Sequence, residues 1–379
     1  MANLTTMMIP YSDRICNWES SGSLKGNFLL HYAKKAFYIL QNNNSVIFSP
    51  DIPSEKCEVN ATTVLHFLSG GTGGKSEYVI HNRVTLGAAV DGLIKKIGDH
   101  PLSSICCLPL WHVGGWMQLE RAWRTDGQIL FCDFRDLLKP AIAEKMTGKW
   151  ISLVPTQIKE LVESKQGLRS LQKAKGIFLG GAAMHFQLRE TIRKLELPVY
   201  PCYGSSETAG MVSLLESEEF LNGMNGVGQA LDHAQIRIDP LKAQLEIMAT
   251  SLCLSRGNHT YAPGTWLKTA DYGKLDSRGY LTIEGRLDRI INTGGEKVNP
   301  SQIEKILYST GMVEECLVVG VPDEKWGQRV VVYLAPLKID LERVKETASC
   351  LLAGAMKPKE WKVCSELPLT EMGKPKNYL

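Results

Sequence analysis

Three apolar runs of strand length, each ending in a glycine-rich turn, constrain the fold of this 379-residue chain more than any other feature. Val64-Leu65-His66-Phe67-Leu68 leads into Ser69-Gly70-Gly71-Thr72-Gly73-Gly74-Lys75, and residues 105–110 lead into Trp111-His112-Val113-Gly114-Gly115. Gly176-Ile177-Phe178-Leu179 leads into Gly180-Gly181-Ala182-Ala183, after which residues 186–195 carry helical spacing and 199–202 form another short apolar run. This last stretch reads as a βαβ unit. It predicts an α/β fold with mainly parallel sheets, in which ligands bind at the carboxyl ends of the strands.

Beyond Gly226 the pattern changes. Residues 234–238 and 244–248 alternate in the manner of a small antiparallel unit, closed by 280–286. From Asp288 the spacing predicts a loop (292–298), a helix (300–308), two strands (316–321 and 330–334) and a second helix (342–353). Asn299 followed by Pro300 is a credible start for the first of these helices. The last ninety or so residues therefore read as a small α+β domain.

With 44% hydrophobic and 22% charged residues, the chain can bury a full core and divide into two or more domains. Its 43 basic and 40 acidic residues are nearly balanced and form no dense basic block, which argues against a nucleic-acid partner. Ten cysteines without a CxxC pair, several in apolar runs, read as buried thiols in a reducing compartment. No run approaches the length of a membrane span, and the first residues lack the pattern of a secretory leader. A cytoplasmic protein with no membrane association is expected.

Four segments have the residue types needed to handle phosphate and ribose. The turn at 69–75 ends in Gly-Lys followed by Ser76, but a phosphate-binding GxxxxGK[ST] loop requires glycine where Ser69 stands. What remains is a flexible loop whose amides can face a phosphate, with Ser69, Gly70, Thr72, Gly73 and Lys75 as its candidate contacts. Tyr203-Gly204-Ser205-Ser206-Glu207 offers an aromatic face, hydroxyls and a carboxylate suited to Mg²⁺; its plainer reading is a helix cap. Asp271 can accept from both hydroxyls of a ribose, and Arg286 can donate nearby, although Asp/Gly turns of a hairpin would also explain that stretch. Asn292-Thr293-Gly294-Gly295-Glu296-Lys297 reads equally as a turn before a helix.

In order and spacing, these motifs resemble the acyl-adenylate-forming superfamily of acyl-CoA synthetases, luciferases and peptide-synthetase adenylation domains, from about Val64 onward. Within it, Leu108-Pro109-Leu110-Trp111-His112-Val113-Gly114-Gly115, Ser152-Leu153-Val154-Pro155-Thr156-Gln157 and Leu179-Gly180-Gly181-Ala182-Ala183 are most similar to the o-succinylbenzoate:CoA ligases of menaquinone biosynthesis. The resemblance implies an ATP-dependent ligase that uses Mg²⁺ and CoA, with 2-succinylbenzoate as the carboxylate. It implies that Gly180, Gly181 and Ala182 line the adenine, Tyr203 stacks on it beside Gly204 and Ser205, and Ser206 meets the α-phosphate. Glu207 holds Mg²⁺ in this scheme, and Asp271 and Arg286 hold the ribose. His112 shapes the acyl pocket, with Trp111, Trp116, Gln118 and Arg121 as candidates to wall it or bind an anion. Lys374 bridges the substrate carboxylate and the α-phosphate. Asp288 is the hinge between an adenylation domain (1–287) and a mobile C-terminal domain (288–379), and Gly294 and Gly295 line the pantetheine tunnel.

Two departures from the family pattern stand out. The phosphate loop carries Lys75-Ser76 where the family has Pro-Lys, which displaces the basic residue by one position. The first sixty residues are also short for a large domain of this kind, as expected of a minimal ligase or of a pared-back fold resting on its other sheets or on a homodimer. The alternatives within reach are another aryl or short-chain acyl-CoA ligase, or a non-catalytic nucleotide-binding member of the fold.

Overall fold

The structure, a computed structural model, describes residues 18–41, 45–48, 54–56, 64–70, 76–98 and 101–368. The predicted βαβ unit is present: Gly176–Leu179 and Val199–Ser205 pair in parallel, with Ile177 opposite Val199, and the helix Phe186–Lys194 connects them. They belong to an eight-stranded sheet ordered Trp18–Ser20, Ile129–Phe131, Ser104–Cys106, Trp150–Leu153, Gly176–Leu179, Val199–Ser205, Gly210–Leu214 and Gln229–Ala230. The first six strands run parallel, and each of the last two pairs antiparallel with the strand before it.

Both faces of this sheet are covered, which is why its strands are continuous apolar runs rather than alternating ones. Cys106 and Phe131 point into a core built with the helices Leu24–Gln41 and Val113–Arg124 around Phe37, Phe67 and Trp116. Their chain neighbours Ile105 and Leu130 point the other way, into a core that includes Ile158, Leu161, Leu171 and Ile192 from the helices beneath.

The run at 64–68 does not join the parallel sheet. Val64–Gly70 and Ser76–Asn82 form an antiparallel hairpin, with Gly70 opposite Ser76, inside a second, six-stranded sheet. An apolar run identifies a buried strand but not its partner, so Ser69 and Gly70 end a strand of this hairpin and not one of the doubly covered sheet. Residues 71–75 lie outside the described residues, and with them the candidate contacts Thr72, Gly73 and Lys75.

The expected antiparallel unit is a four-stranded sheet of Ala234–Ile238, Gln244–Ala249, Leu267–Leu275 and Leu281–Arg286. The C-terminal residues build their own five-stranded sheet from Ile291–Thr293, Glu296–Val298, Glu315–Asp323, Gly327–Ala335 and Glu360–Val363. The helix Pro300–Ser309 packs on it through Ile303 and Leu307, and Leu341–Leu351 packs through Val344 and Ala348. The Asn299 cap is formed, its side chain accepting from the Ser301 amide at 3.0 Å. The predicted loop at 292–298 is instead a tight hairpin. Gly294 and Gly295 form its two-residue turn with φ of 59° and 84°, the sign pattern of the turn type that matches strand twist.

Candidate active site

The strand Val199–Ser205 carries Tyr203, Gly204 and Ser205 to its carboxyl end, and a single 3-10 turn, Ser206–Thr208, reverses the chain into Gly210–Leu214. The helix-cap reading of this motif therefore gives way to a strand reversal. Gly204 is required there, because a Cβ would sit 1.8 Å from the Gly210 carbonyl oxygen. The turn is pinned from behind through three successive carbonyls. His81 Nε2 donates to Ser206 O at 2.8 Å, the Cys253 amide donates to Glu207 O at 2.7 Å, and Ser251 Oγ donates to Thr208 O at 2.9 Å.

His81 is fully buried, and burial pushes its ring down to about 4, so near neutrality it is uncharged. A carbonyl partner can only accept, which places the ring proton on Nε2. Each such bond contributes about 1 kcal/mol, and together they fix the backbone from which Ser206 and Glu207 project. Ser205 Oγ is buried and finds no hydrogen-bond partner among the described residues. A buried hydroxyl without a partner is costly, and an incoming polar ligand would satisfy it.

A second cluster forms beside this turn. Asp271 and Arg286 stand directly opposite each other on adjacent antiparallel strands, so the stretch is the hairpin of the plainer reading and it brings the two candidate ribose contacts together. Tyr203 Oη donates to Asp271 Oδ2 at 2.6 Å, and Arg286 Nη1 lies 3.3 Å from Asp271 Oδ1. Burial, and then the charge of Asp271, push the Tyr203 phenol well above its ordinary range, which keeps it a neutral donor. Arg286 grips Asp288 in a fork, Nε to Oδ1 at 2.9 Å and Nη2 to Oδ2 at 2.6 Å. Asp271 still has lone pairs to offer two hydroxyls, since an ionised carboxylate can accept about four hydrogen bonds.

The turn after Gly176–Leu179 lies against the same strand: a Cβ on Gly180 would come within 2.9 Å of Cys202 Sγ. Gly181, with φ of 83°, and Ala182 are exposed there, so their backbone groups are available to a flat ligand. His112 occupies the cap position of the helix Val113–Arg124, its carbonyl accepting from the amides of Gly115 and Trp116. Among the residues grouped with it, Trp116 is core and Gln118 is committed, donating to Cys106 Sγ and accepting from the Ser152 amide.

Arg121 is different. It is 5% exposed, donates through Nε to Met117 O at 2.8 Å, reaches Ser152 Oγ at 3.4 Å and lies 5.0 Å over the Phe178 ring. No carboxylate pairs with it among the described residues. Burial alone pushes its guanidinium down to about 10.

Glu207, the candidate Mg²⁺ ligand, is 13% exposed and its Oε1 accepts from Arg256 Nη1 at 2.7 Å. Sequence reasoning missed Arg256; the one available signal is that it is the sole Lys or Arg between Lys242 and Lys268. Mg²⁺ characteristically takes one or two carboxylates together with phosphate oxygens and water, so a single carboxylate on a rigid turn fits it. Ser69 and Gly70 end the hairpin strand next to Ser76. Gly294 packs against Trp326, whose carbonyl accepts from the Gly294 amide at 2.9 Å. The C-terminal elements rest on the larger part through Lys159 and Glu315 at 2.8 Å, through the His185 and Tyr308 rings at 4.0 Å, and through hydrogen bonds from Gln187 to Tyr308 O and from Asn299 to Tyr272. Lys374 lies outside the described residues.

The chain is 28% identical over 285 residues to the 2-succinylbenzoate–CoA ligase of Enterococcus faecalis, an alignment covering 71% of this chain and 59% of that protein. It therefore spans about three fifths of that relative's length. Its fold is shared with o-succinylbenzoate CoA synthetase of Bacillus subtilis, solved in complex with the acyl-adenylate intermediate OSB-AMP (TM-score 0.68, 24% identity, 82% of this chain and 67% of that one). The same enzyme in complex with ATP and magnesium ion superposes with a TM-score of 0.68 at 23% identity, covering 85% and 70%. Residues 302–374 match the C-terminal domain of AMP-binding enzymes. Residues 22–248, more than half of the chain, match the AMP-binding enzyme model, and the chain belongs to that family.

Proposed function

We propose that the protein adenylates 2-succinylbenzoate with ATP and then transfers the acyl group to CoA, giving 2-succinylbenzoyl-CoA, AMP and pyrophosphate. The observation that carries this reading is Arg121, a buried cation without a counter-carboxylate on the helix that His112 begins. A substrate with two carboxylates presents one for reaction and leaves one to be neutralised. Arg121, walled by the Phe178 ring, is suited to receive the second. The similarity to ligases named for 2-succinylbenzoate supports the same choice.

In this scheme Tyr203 and the 180–182 turn take the adenine, Asp271 accepts from the ribose hydroxyls, and Arg286 holds Asp271 in place. Mg²⁺, held by Glu207, would neutralise phosphate charge. Lys374 brings its ammonium to the substrate carboxylate as that oxygen attacks the α-phosphorus and the bond to the bridging oxygen breaks. The CoA thiolate then attacks the acyl carbon and AMP departs. We assign residues 1–287 to the adenylation domain and 288–379 to the mobile domain, with Asp288 as hinge, so that Lys374 serves the first step and the Gly294–Gly295 turn lines the pantetheine path in the second. No helix among the described residues is long and apolar enough to cross a membrane, and we place the reaction in the cytoplasm, with the enzyme as a homodimer.

A coupled pyrophosphate-release assay across a panel of carboxylic acids tests the reading. Turnover with 2-succinylbenzoate is expected. Turnover restricted to benzoates or fatty acids would assign a different acyl-CoA ligase, and ATP binding without carboxylate-dependent release would mark a non-catalytic member.

A further inference from the structure

Arg256 takes no part in the scheme above, yet it joins two segments on the phosphate side of the site. Its Nε donates to Glu77 Oε2 at 2.9 Å and its Nη1 to Glu207 Oε1 at 2.7 Å. The backbone sets this position: the strand Ser255–Arg256 pairs with Ser76–Asn82, with Arg256 opposite Val79, and the Gly257 amide donates to Tyr78 O at 3.0 Å. Glu77 is the residue after Ser76, which stands where the resembled family has its phosphate-loop lysine. Glu207 projects from the pinned turn. Its carboxylate and the Arg256 side chain are 13% and 33% exposed, so the pair is close to solvent without being loose on the surface.

Two carboxylates on one guanidinium leave a net negative charge where phosphate charge has to be received. An anion is admitted only when one carboxylate is drawn elsewhere, and Glu207 is the one with a second cation to go to. Deepening the nucleotide reading on which it rests, we propose that Arg256 is the cation this chain offers to the β- and γ-phosphates of ATP in place of a lysine at position 76, freed from Glu207 when that carboxylate turns to Mg²⁺. The guanidinium keeps Glu77 through Nε, which holds the fork in orientation, while Nη1 and Nη2 become available to phosphate oxygens. Neither the lysine motif nor the spacing of the phosphate loop reveals this, because the arginine arrives from 179 residues further along the chain.

Calorimetric titration with ATP and with AMP, each with and without Mg²⁺, tests the proposal on the wild type, Arg256→Gln and Glu77→Gln. AMP lacks the phosphates in question and serves as the internal control. Arg256→Gln is expected to weaken Mg²⁺-ATP binding about tenfold or more and AMP binding less than about twofold. Glu77→Gln removes a competing negative charge and is expected to tighten ATP binding about two- to threefold. Unchanged ATP binding in Arg256→Gln, or equal losses for ATP and AMP, overturns the proposal. If Arg256→Gln does not fold, weaker ATP binding in Glu77→Gln overturns it independently. A wild type that binds neither nucleotide overturns the nucleotide reading itself and this proposal with it.

Discussion

Arg121→Met should make the unliganded protein more stable while removing its preference for a dicarboxylate. Methionine keeps an unbranched stem of similar length and drops the charge. Burial lowers the guanidinium from its usual value near 12.5 to about 10. At neutral pH the group is charged in both folded and unfolded chains, so that depression opposes folding by about 3 kcal/mol. Against this stand the Nε bond to Met117 O, worth about 1 kcal/mol net, and the contact over the Phe178 ring, worth about 1 kcal/mol. Met117 O lies one helical turn before Arg121, where the backbone amide of residue 121 can satisfy it, so the substitution leaves no new buried acceptor there. The balance favours Arg121→Met by about 1 kcal/mol, a rise of a few degrees in thermal midpoint. Scanning calorimetry of both proteins with and without 2-succinylbenzoate, alongside pyrophosphate release, checks this. The wild type should gain stability from the acid and the variant should not, with KM for the acid raised at least tenfold. A variant destabilised by about 2 kcal/mol or more with an unchanged KM would show that Arg121 is a structural cation and refute the reasoning.

Asp271→Asn weakens a charge-assisted acceptor at the ribose and the grip of both Tyr203 and Arg286, and should lower ATP affinity about 10- to 100-fold in equilibrium titration, while unchanged affinity would remove Asp271 from the nucleotide site. Lys374→Ala should abolish adenylation yet spare thioester formation from preformed acyl-adenylate, and equal loss of both in single-turnover assays would contradict the assignment of the lysine to one half-reaction. His81 titrates near 6.5 in the unfolded chain and near 4 in the fold, so stability is whole above pH 6.5 and falls by about 3 kcal/mol as pH drops to 4. Urea denaturation between pH 7 and 4 should show that slope and should show it flattened in His81→Asn.

The strands buried on both faces were the most legible part of the fold. Gly176–Leu179 is an unbroken apolar run because helices cover the sheet above and below, and its βαβ partner followed from the spacing. The run at 64–68 was equally visible, but burial does not encode the partner strand, so its place in a hairpin of a second, mixed sheet was not readable. Tyr203, Asp271 and Arg286 were each legible as residue types in motifs. That Asp271 and Arg286 face each other depends on the pairing of two strands, which composition leaves open. His81 and Arg256 were invisible for a further reason. Each reaches the 206–208 turn from a strand distant in sequence, and the one local sign, that Arg256 has no other Lys or Arg near it, does not point to its partner.

The central chemical step of the proposed function is formation of a mixed anhydride between a carboxylate and AMP at this site. Exchange of labelled pyrophosphate into ATP, run without CoA, measures that step alone. Exchange that requires 2-succinylbenzoate and Mg²⁺ and stops when either is omitted is the result expected. Tight ATP binding with no acid-dependent exchange from any carboxylate tested would contradict it.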